Sequence, residues 1–272
     1  MLKKTLGIVL HTVAYNDKNH IAHLYTEKYG RMSYAIPQTQ GRKSKSQRPL
    51  FTPFSILDIE SDYKPGRDIQ KIKEVRPAEI LQQIHYDPVK NSIALFLSEF
   101  LSRTIREPEA NPVFFEFLHQ SIKFLDFIED GKANFHLCFL IRISGFLGFY
   151  PNIENYRPGD YFDLLNGIST SVHPGHAYVL SPDETSYFTT LMRMNYYNLH
   201  LFRFSRQERI QILEHIIENY IMPDSHNSNL LTYSKHYSTN YTTHLAKSRN
   251  NYTFVAANAF VVQWIEQKFP KL

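Results

Sequence analysis

The sequence predicts an α+β chain, a small β-barrel followed by an all-helical domain, on three observations. Five short apolar segments of strand type occupy the first 79 residues with no helical stretch between them. Near residue 80 the apolar spacing changes from the strand period of two to the helical period of 3.6. Charge divides at the same place: residues 1–79 hold 14 Lys/Arg and 8 Asp/Glu, a net +6, which leaves −2 of the overall +4 for residues 80–272.

The strand-type segments come first. "TLGIVLHTVAY" alternates Leu6, Ile8 and Leu10 against Gly7, Val9 and His11, and "HIAHLYTEKYG", "RMSYAIPQT", "FSILDIESDY" and "IQKIKEVR" follow it. Turn residues separate them at 16–19, at Gly30, at 41–49 and at Pro65-Gly66. Five short strands without a crossover helix fit a closed or nearly closed barrel, and the five-stranded barrel that commonly binds single-stranded nucleic acid is the OB-fold.

The join between the third and fourth strands carries the charge signal. "QTQGRKSKSQRPLFTPFSILDIE" sets Arg42, Lys43, Lys45 and Arg48 close together with no acid among them, then runs into an apolar strand. A clustered positive field attracts polyanions, whereas scattered charge of both signs does not. Such a loop projecting from a barrel suits backbone phosphates; its alternative is a solvated surface loop.

Helical signals begin at residue 80. "PVKNSIALFLSEFLSRTI" places Ile93, Phe96, Leu97, Phe100 and Leu101 on one face, and "NPVFFEFLHQSIKFLDFIE" does the same with Phe114, Phe117, Leu118 and Leu125. Their starts pair an N-cap with proline at the first helical position, Asp87-Pro88 and Asn111-Pro112. Capping-box spacing appears at Ser181 with Glu184 and at Ser205 with Glu208. The segment 133–150 is apolar nearly all round, as a central helix should be, with Gly148 before Pro151 to end it.

Composition closes off several functions. No apolar run reaches the roughly 20 residues that cross a bilayer, and the N-terminus lacks a convincing signal peptide, so a cytoplasmic location without membrane attachment is expected. The single cysteine, Cys138, lies in the apolar run "FHLCFLIRI", which excludes an internal disulfide or a Cys-based zinc site and points to an inert thiol. Thirteen histidines raise the alternative of a metal-dependent hydrolase. His20 with His23, and His173 with His176, have i, i+3 spacing, yet a zinc enzyme needs three protein ligands around an open position, and neither pair has Asp or Glu at a helpful helical spacing. No metal or other cofactor is expected. A protein-only interaction adaptor is a third class, which would keep the fold but leave the basic loop without a role.

Taken together, "TLGIVLHTVAYND…IAHLYTEKYGRMSYAI…GRKSKSQRPLFTPFSILDIE", "TIREPEANPVFFEFLHQSIKFLD" and "NFHLCFLIRISGFLGFYPNIENY" resemble the bacterial recombination mediator family RecO, in a version most similar to those of the Bacteroidetes. The likeness extends over residues 1–227 through the order of its features: barrel start, basic loop, "PF" strand, "REP…F" helix and Gly-Phe-x-Pro helix end. It implies an OB-fold at 1–79, a helical domain at 80–227, and a role in DNA recombination and DNA damage repair at the nucleoid rather than enzymatic activity. Implied partners are single-stranded DNA, the RecR ring and the acidic C-terminal tail of the single-stranded-DNA-binding protein SSB. In that setting Arg31, Arg42, Lys43, Lys45, Arg48, Lys64, Arg67 and Lys71 are the phosphate-contacting candidates, and Tyr15, Tyr25, Tyr29 and Tyr34 the aromatics available for stacking bases. A slot for the SSB tail is expected around Phe139, Arg142 and Phe146, with an alternative in which Arg142 pairs with Glu116 or Asp126.

Two stretches depart from the family. Where many members carry a cysteine cluster, "NIENYRPGDYF" has none, so structural zinc is not expected, and packing of Tyr156, Tyr161 and Phe162 would take its place. Residues 228–272 are rich in Asn, Thr, Ser and Tyr, with Glu266 as their only acid. A permitted choice of codons from Asn227 to Asn240, read two bases later, encodes a short peptide of helical apolar spacing followed by a stop. The expectation is a non-family, frameshifted and disordered tail, against the alternative of a genuine extension.

Overall fold

Alternation of apolar residues and well-placed turns builds a closed barrel from β1 (Leu2–Asn16), β2 (Asn19–Thr26), β3 (Gly30–Pro37), β4 (Ile56–Asp62) and β5 (Ile69–Pro77). The computed structural model describes residues 2–16, 19–37, 47–105, 109–147, 151–176 and 178–221. Arg42, Lys43 and Lys45, Gly148, and everything beyond Ile221 lie outside them, and with these the expectations for the basic loop and the tail. Strand order is β1-β2-β3-β5-β4. β1 closes the barrel by pairing with β4 along Leu2–Ile8 and with β2 from Gly7 onward. All pairings are antiparallel except β3 with β5. This is the five-stranded OB-type barrel expected from the strand count.

The barrel core is Val9, Ala22, Leu24, Tyr34, Ile36, Phe51, Leu57 and Ile59. β1 departs from simple alternation, because Ile8 and Leu10 are as fully buried as Val9. A strand half exposed to water would alternate; this one is covered on its second face by helix α1 (Pro88–Thr104), which packs against it.

Two compact units result, one running to Ile128 and one from Glu129. The change of period at residue 80 and the division at Ile128 fall at different places, because α1 and α2 (Pro112–Phe127) are fastened to the barrel. The Asn111 amide donates to the Tyr25 hydroxyl at 3.2 Å, the Tyr25 ring meets Phe114 edge-on at 5.1 Å, and Arg31 donates to the Ile105 carbonyl at the end of α1. Both helices start as expected. Asp87 accepts from the amides of Val89 and Lys90, and Asn111 from that of Phe114.

In the second unit α3 (Phe135–Ser144) is buried on almost every side, as its all-round apolar sequence requires. It is shorter than the expected 133–150: the helix ends at Ser144, and the amides of Phe146 and Leu147 close a turn onto Ile143. Gly131 precedes it at φ 78°, and a Cβ there would lie 2.5 Å from the His200 amide nitrogen, so only glycine fits. Nearby, the Asn134 amide group donates to the carbonyls of Leu199 and Phe202. α4 (Pro182–Met192) begins with the full Ser181–Glu184 capping box, and α5 (Arg206–Ile221) with reciprocal Ser205–Glu208 bonds.

The unit is not all-helical. A three-stranded sheet, β7-β6-β8, is formed by β6 (Tyr161–Asp163), β7 (Ile168–Thr170) and β8 (Val179–Leu180). Strands of two or three residues are too short for a period of two to register. Phe162 on β6 is buried against Phe188 of α4, and Tyr161 meets His173 edge-on.

Candidate nucleic-acid interface

The barrel positions its cations through two turns and one strand. Lys64, Pro65, Gly66 and Arg67 form the β4–β5 turn, closed by the Arg67 amide on the Lys64 carbonyl at 3.2 Å, with Gly66 at φ 78°. Proline and glycine at these positions suit a tight turn of this kind. Its shape is held from inside by Gln70, almost wholly buried: the side-chain oxygen accepts from the Lys64 amide, and the side-chain nitrogen donates to the carbonyls of Lys64 and Arg67. Lys64 and Arg67 are therefore presented to solvent by a rigid turn. Lys71 and Lys73 follow on β5, also exposed, while Ile72 between them packs against the core.

Arg48 is exposed in the short 3₁₀ turn Arg48–Leu50, which brings the chain back from the basic loop. Phe51 then plugs into the barrel core, and Phe54, at φ 67°, is buried with its amide donating to Val9 at 2.8 Å. These two phenylalanines anchor the loop's exit. Arg31, by contrast, reaches Ile105 and serves the junction with α1.

Two other cations are engaged. Arg76 and Lys4 bond Asp58 at 2.7 and 3.2 Å. Partial burial of Asp58 is outweighed by these bonds, which hold its carboxyl below the usual range.

Of the four tyrosines, two are corrected. Tyr25 is buried against Phe114, and Tyr34 sits inside the barrel, where burial pushes its hydroxyl up to about 12. Neither offers a face to a base. Alternate residues of a small barrel point inward, and these fall on inward or helix-covered positions. Tyr15 is exposed, and Tyr29 is half-buried and stacked on Tyr63, a residue the sequence reading passed over although it directly precedes Lys64.

In the second unit Phe139 is fully buried and stacked on Phe135, so it presents no surface, whereas Phe146 is exposed. Arg142 donates to the Met194 carbonyl at 2.7 Å, a contact within the second unit. Glu116 accepts from Gln120, and Asp126 accepts from backbone amides. Cys138 is buried, which pushes its thiol up to about 11, as suits an inert group.

Three of the four paired histidines have partners of their own. His23 shares a hydrogen bond with Ser33, His176 lies 3.4 Å from Asp163, and His173 accepts from the Gly175 amide. Among the described residues no group of three or more His, Cys, Asp or Glu is placed to hold a metal ion, and no helix is long and apolar enough to cross a membrane.

With this geometry in hand, the sequence matches two family models: Recombination protein O N terminal over residues 1–81, and Recombination protein O C terminal over residues 85–229. The chain belongs to the RecO family. DNA repair protein RecO of Bacteroides fragilis is 46% identical over 221 residues, covering 81% of this chain and 91% of that protein. DNA repair protein RecO of Phocaeicola vulgatus is 46% identical over 213 residues, with 78% and 88% covered, and that of Flavobacterium psychrophilum 34% identical over 218 residues, with 80% and 90% covered. The RecO family match thus takes in the barrel and the helices through α5, and ends at residue 229.

Proposed function

We propose that this chain is a recombination mediator in DNA repair that binds single-stranded DNA without sequence preference, promotes strand annealing and, with RecR, loads the recombinase. It is not an enzyme in this reading, and it works in the cytoplasm at the nucleoid. The observation that carries the proposal is the closed OB-type barrel with a rigid cationic turn in a member of the RecO family. A backbone-tracking groove of cations binds phosphates by counterion release and needs no base-reading side chains.

The test is the salt dependence of binding to a labelled oligothymidine. If about six cations contact phosphates, log K falls with log salt at a slope near −4, taking roughly 0.7 per contact. Replacing Arg42, Lys43, Lys45 and Arg48 together by alanine is expected to reduce that slope by about 3 and to weaken binding equally across sequences. An unchanged slope removes this loop from the interface.

The SSB tail, an acidic peptide with a free carboxylate, is proposed to dock on the second unit at the exposed Phe146, with Arg142 beside it on the chain. A peptide carboxylate there would compete with the Met194 carbonyl for the Arg142 guanidinium. Titration of a labelled tail peptide is expected to show weaker binding for both Phe146→Ala and Arg142→Ala. Unaltered affinity in both places the tail elsewhere.

A further inference from the structure

One flank of α2 repeats a residue at alternating intervals of four and three: Val113, Phe117, Gln120, Phe124 and Phe127. This is the spacing of a coiled-coil seam, apolar but for one polar residue at its middle. At about 100° per residue the seam lies well to one side of the row that faces the unit's own core, Phe114, Leu118, Ser121 and Leu125. Its two ends stand in water: Val113 is 70% exposed and Phe127 82%. Phe117 and Phe124 between them are half-buried, and Gln120 is exposed. A single exposed phenylalanine calls for no explanation, but a heptad register kept along about 21 Å of helix makes a continuous surface shaped for a second helix.

Charge selects the partner. One side of the seam carries Glu116 and Lys123, both exposed, while the equivalent positions on its other side, Phe114, Ser121 and Ile128, are buried. Two copies of α2 laid antiparallel, with Val113 against the partner's Phe124 and Phe117 against the partner's Gln120, bring Glu116 beside the partner's Lys123, and the two-fold axis repeats that pair. A parallel arrangement would need Ser121 and Ile128 to meet these charges, and both are buried in their own unit. Within one chain Glu116 accepts from Gln120 at 2.7 Å and Lys123 lies 3.5 Å from Glu79, surface contacts that a partner's charge can replace.

We propose that the α2 seam is an interface between two copies of this chain, paired antiparallel through Val113, Phe117, Phe124 and Phe127, with Glu116 and Lys123 fixing the register. Two heptads bury a small area, so the pair is weak and forms as concentration rises. Pairing is independent of the single-strand reading above and needs no DNA. In a protein that anneals strands, it supplies two barrels, one for each strand.

Sedimentation velocity of the full chain without DNA, over a rising concentration series, is expected to show a monomer passing to a dimer and no further. The double variant Val113→Ser/Phe127→Ser, changed only at exposed positions, is expected to raise the dimer Kd about a hundredfold. Glu116→Lys and Lys123→Glu each set like charges together at both places in the pair, and each is expected to raise the Kd about tenfold. An equimolar mixture of those two variants restores opposite charges at both places, so it is expected to dimerise as well as the parent. A misfolded variant could not recover in this way. A chain that stays monomeric at every concentration overturns the pair and leaves the seam to a helix of another protein. Dimers that survive both charge reversals, or a mixture that pairs no better than its components, overturn this interface.

Discussion

Asp126→Ala is expected to lower the stability of the first unit by about 2–3 kcal/mol in urea denaturation, with Asp126→Asn costing about 1 kcal/mol. In the segment between the barrel and α1, Asp126 near the end of α2 supplies the acceptors for three consecutive amides. One carboxylate oxygen accepts from the amides of Gln83 and Ile84, both at 2.7 Å, and the other from Gln82 at 2.9 Å. Ile84 is fully buried beneath this cap, and Lys90, itself buried, donates to the Asp126 backbone carbonyl at 2.8 Å. Alanine leaves three backbone donors without their acceptor, one of them partly buried, where the loss is greatest. Asparagine keeps one oxygen able to serve Gln83 and Ile84 together, so it separates the loss of hydrogen bonds from the loss of the side chain. Equal stability for all three proteins would remove the cap from the account of how the linker is held.

Acid is expected to weaken the second unit through His136. Its ring is buried, and burial, with the nearby Arg209 charge, pulls its pKa down to about 3. The folded chain therefore keeps the imidazole neutral while the unfolded chain takes up a proton below the ordinary histidine pKa. The sign follows: this group costs nothing at pH above about 6.5, and stability is lost progressively as pH falls from there toward about 3. At about 1.4 kcal/mol per pH unit, the loss between pH 6.5 and 5 is about 2 kcal/mol. His136→Leu removes this proton linkage, so its stability should fall less steeply over the same interval. Parallel pH profiles for the two proteins would sink the assignment. The measurement belongs between pH 5 and 7.5, above the range in which the carboxylates of the capping boxes begin to protonate.

Helix starts were legible because capping is local: Asp87, Asn111 and Ser181 each hold amides within three residues, and the side chain that does so is printed beside them. The barrel was legible because five strand-length segments with no crossover helix leave few ways to close a sheet. Burial was read less well. Tyr25 and Tyr34 looked available because an aromatic in a strand has the same letters whether it faces water, the barrel interior or a covering helix, and here the distinction was made by Phe114 and by the closure of the sheet.

The family, the five barrel strands, the main helices, the caps and the placing of positive charge in the first 79 residues are legible along the chain, since each depends on neighbours in sequence. Folding in three dimensions settled that Arg31 serves α1, that Arg142 holds the Met194 carbonyl, that Tyr29 finds Tyr63, and that β5 runs parallel beside β3. These pairings join residues tens of positions apart. Their partners are chosen by packing and barrel closure, and no local spacing records them.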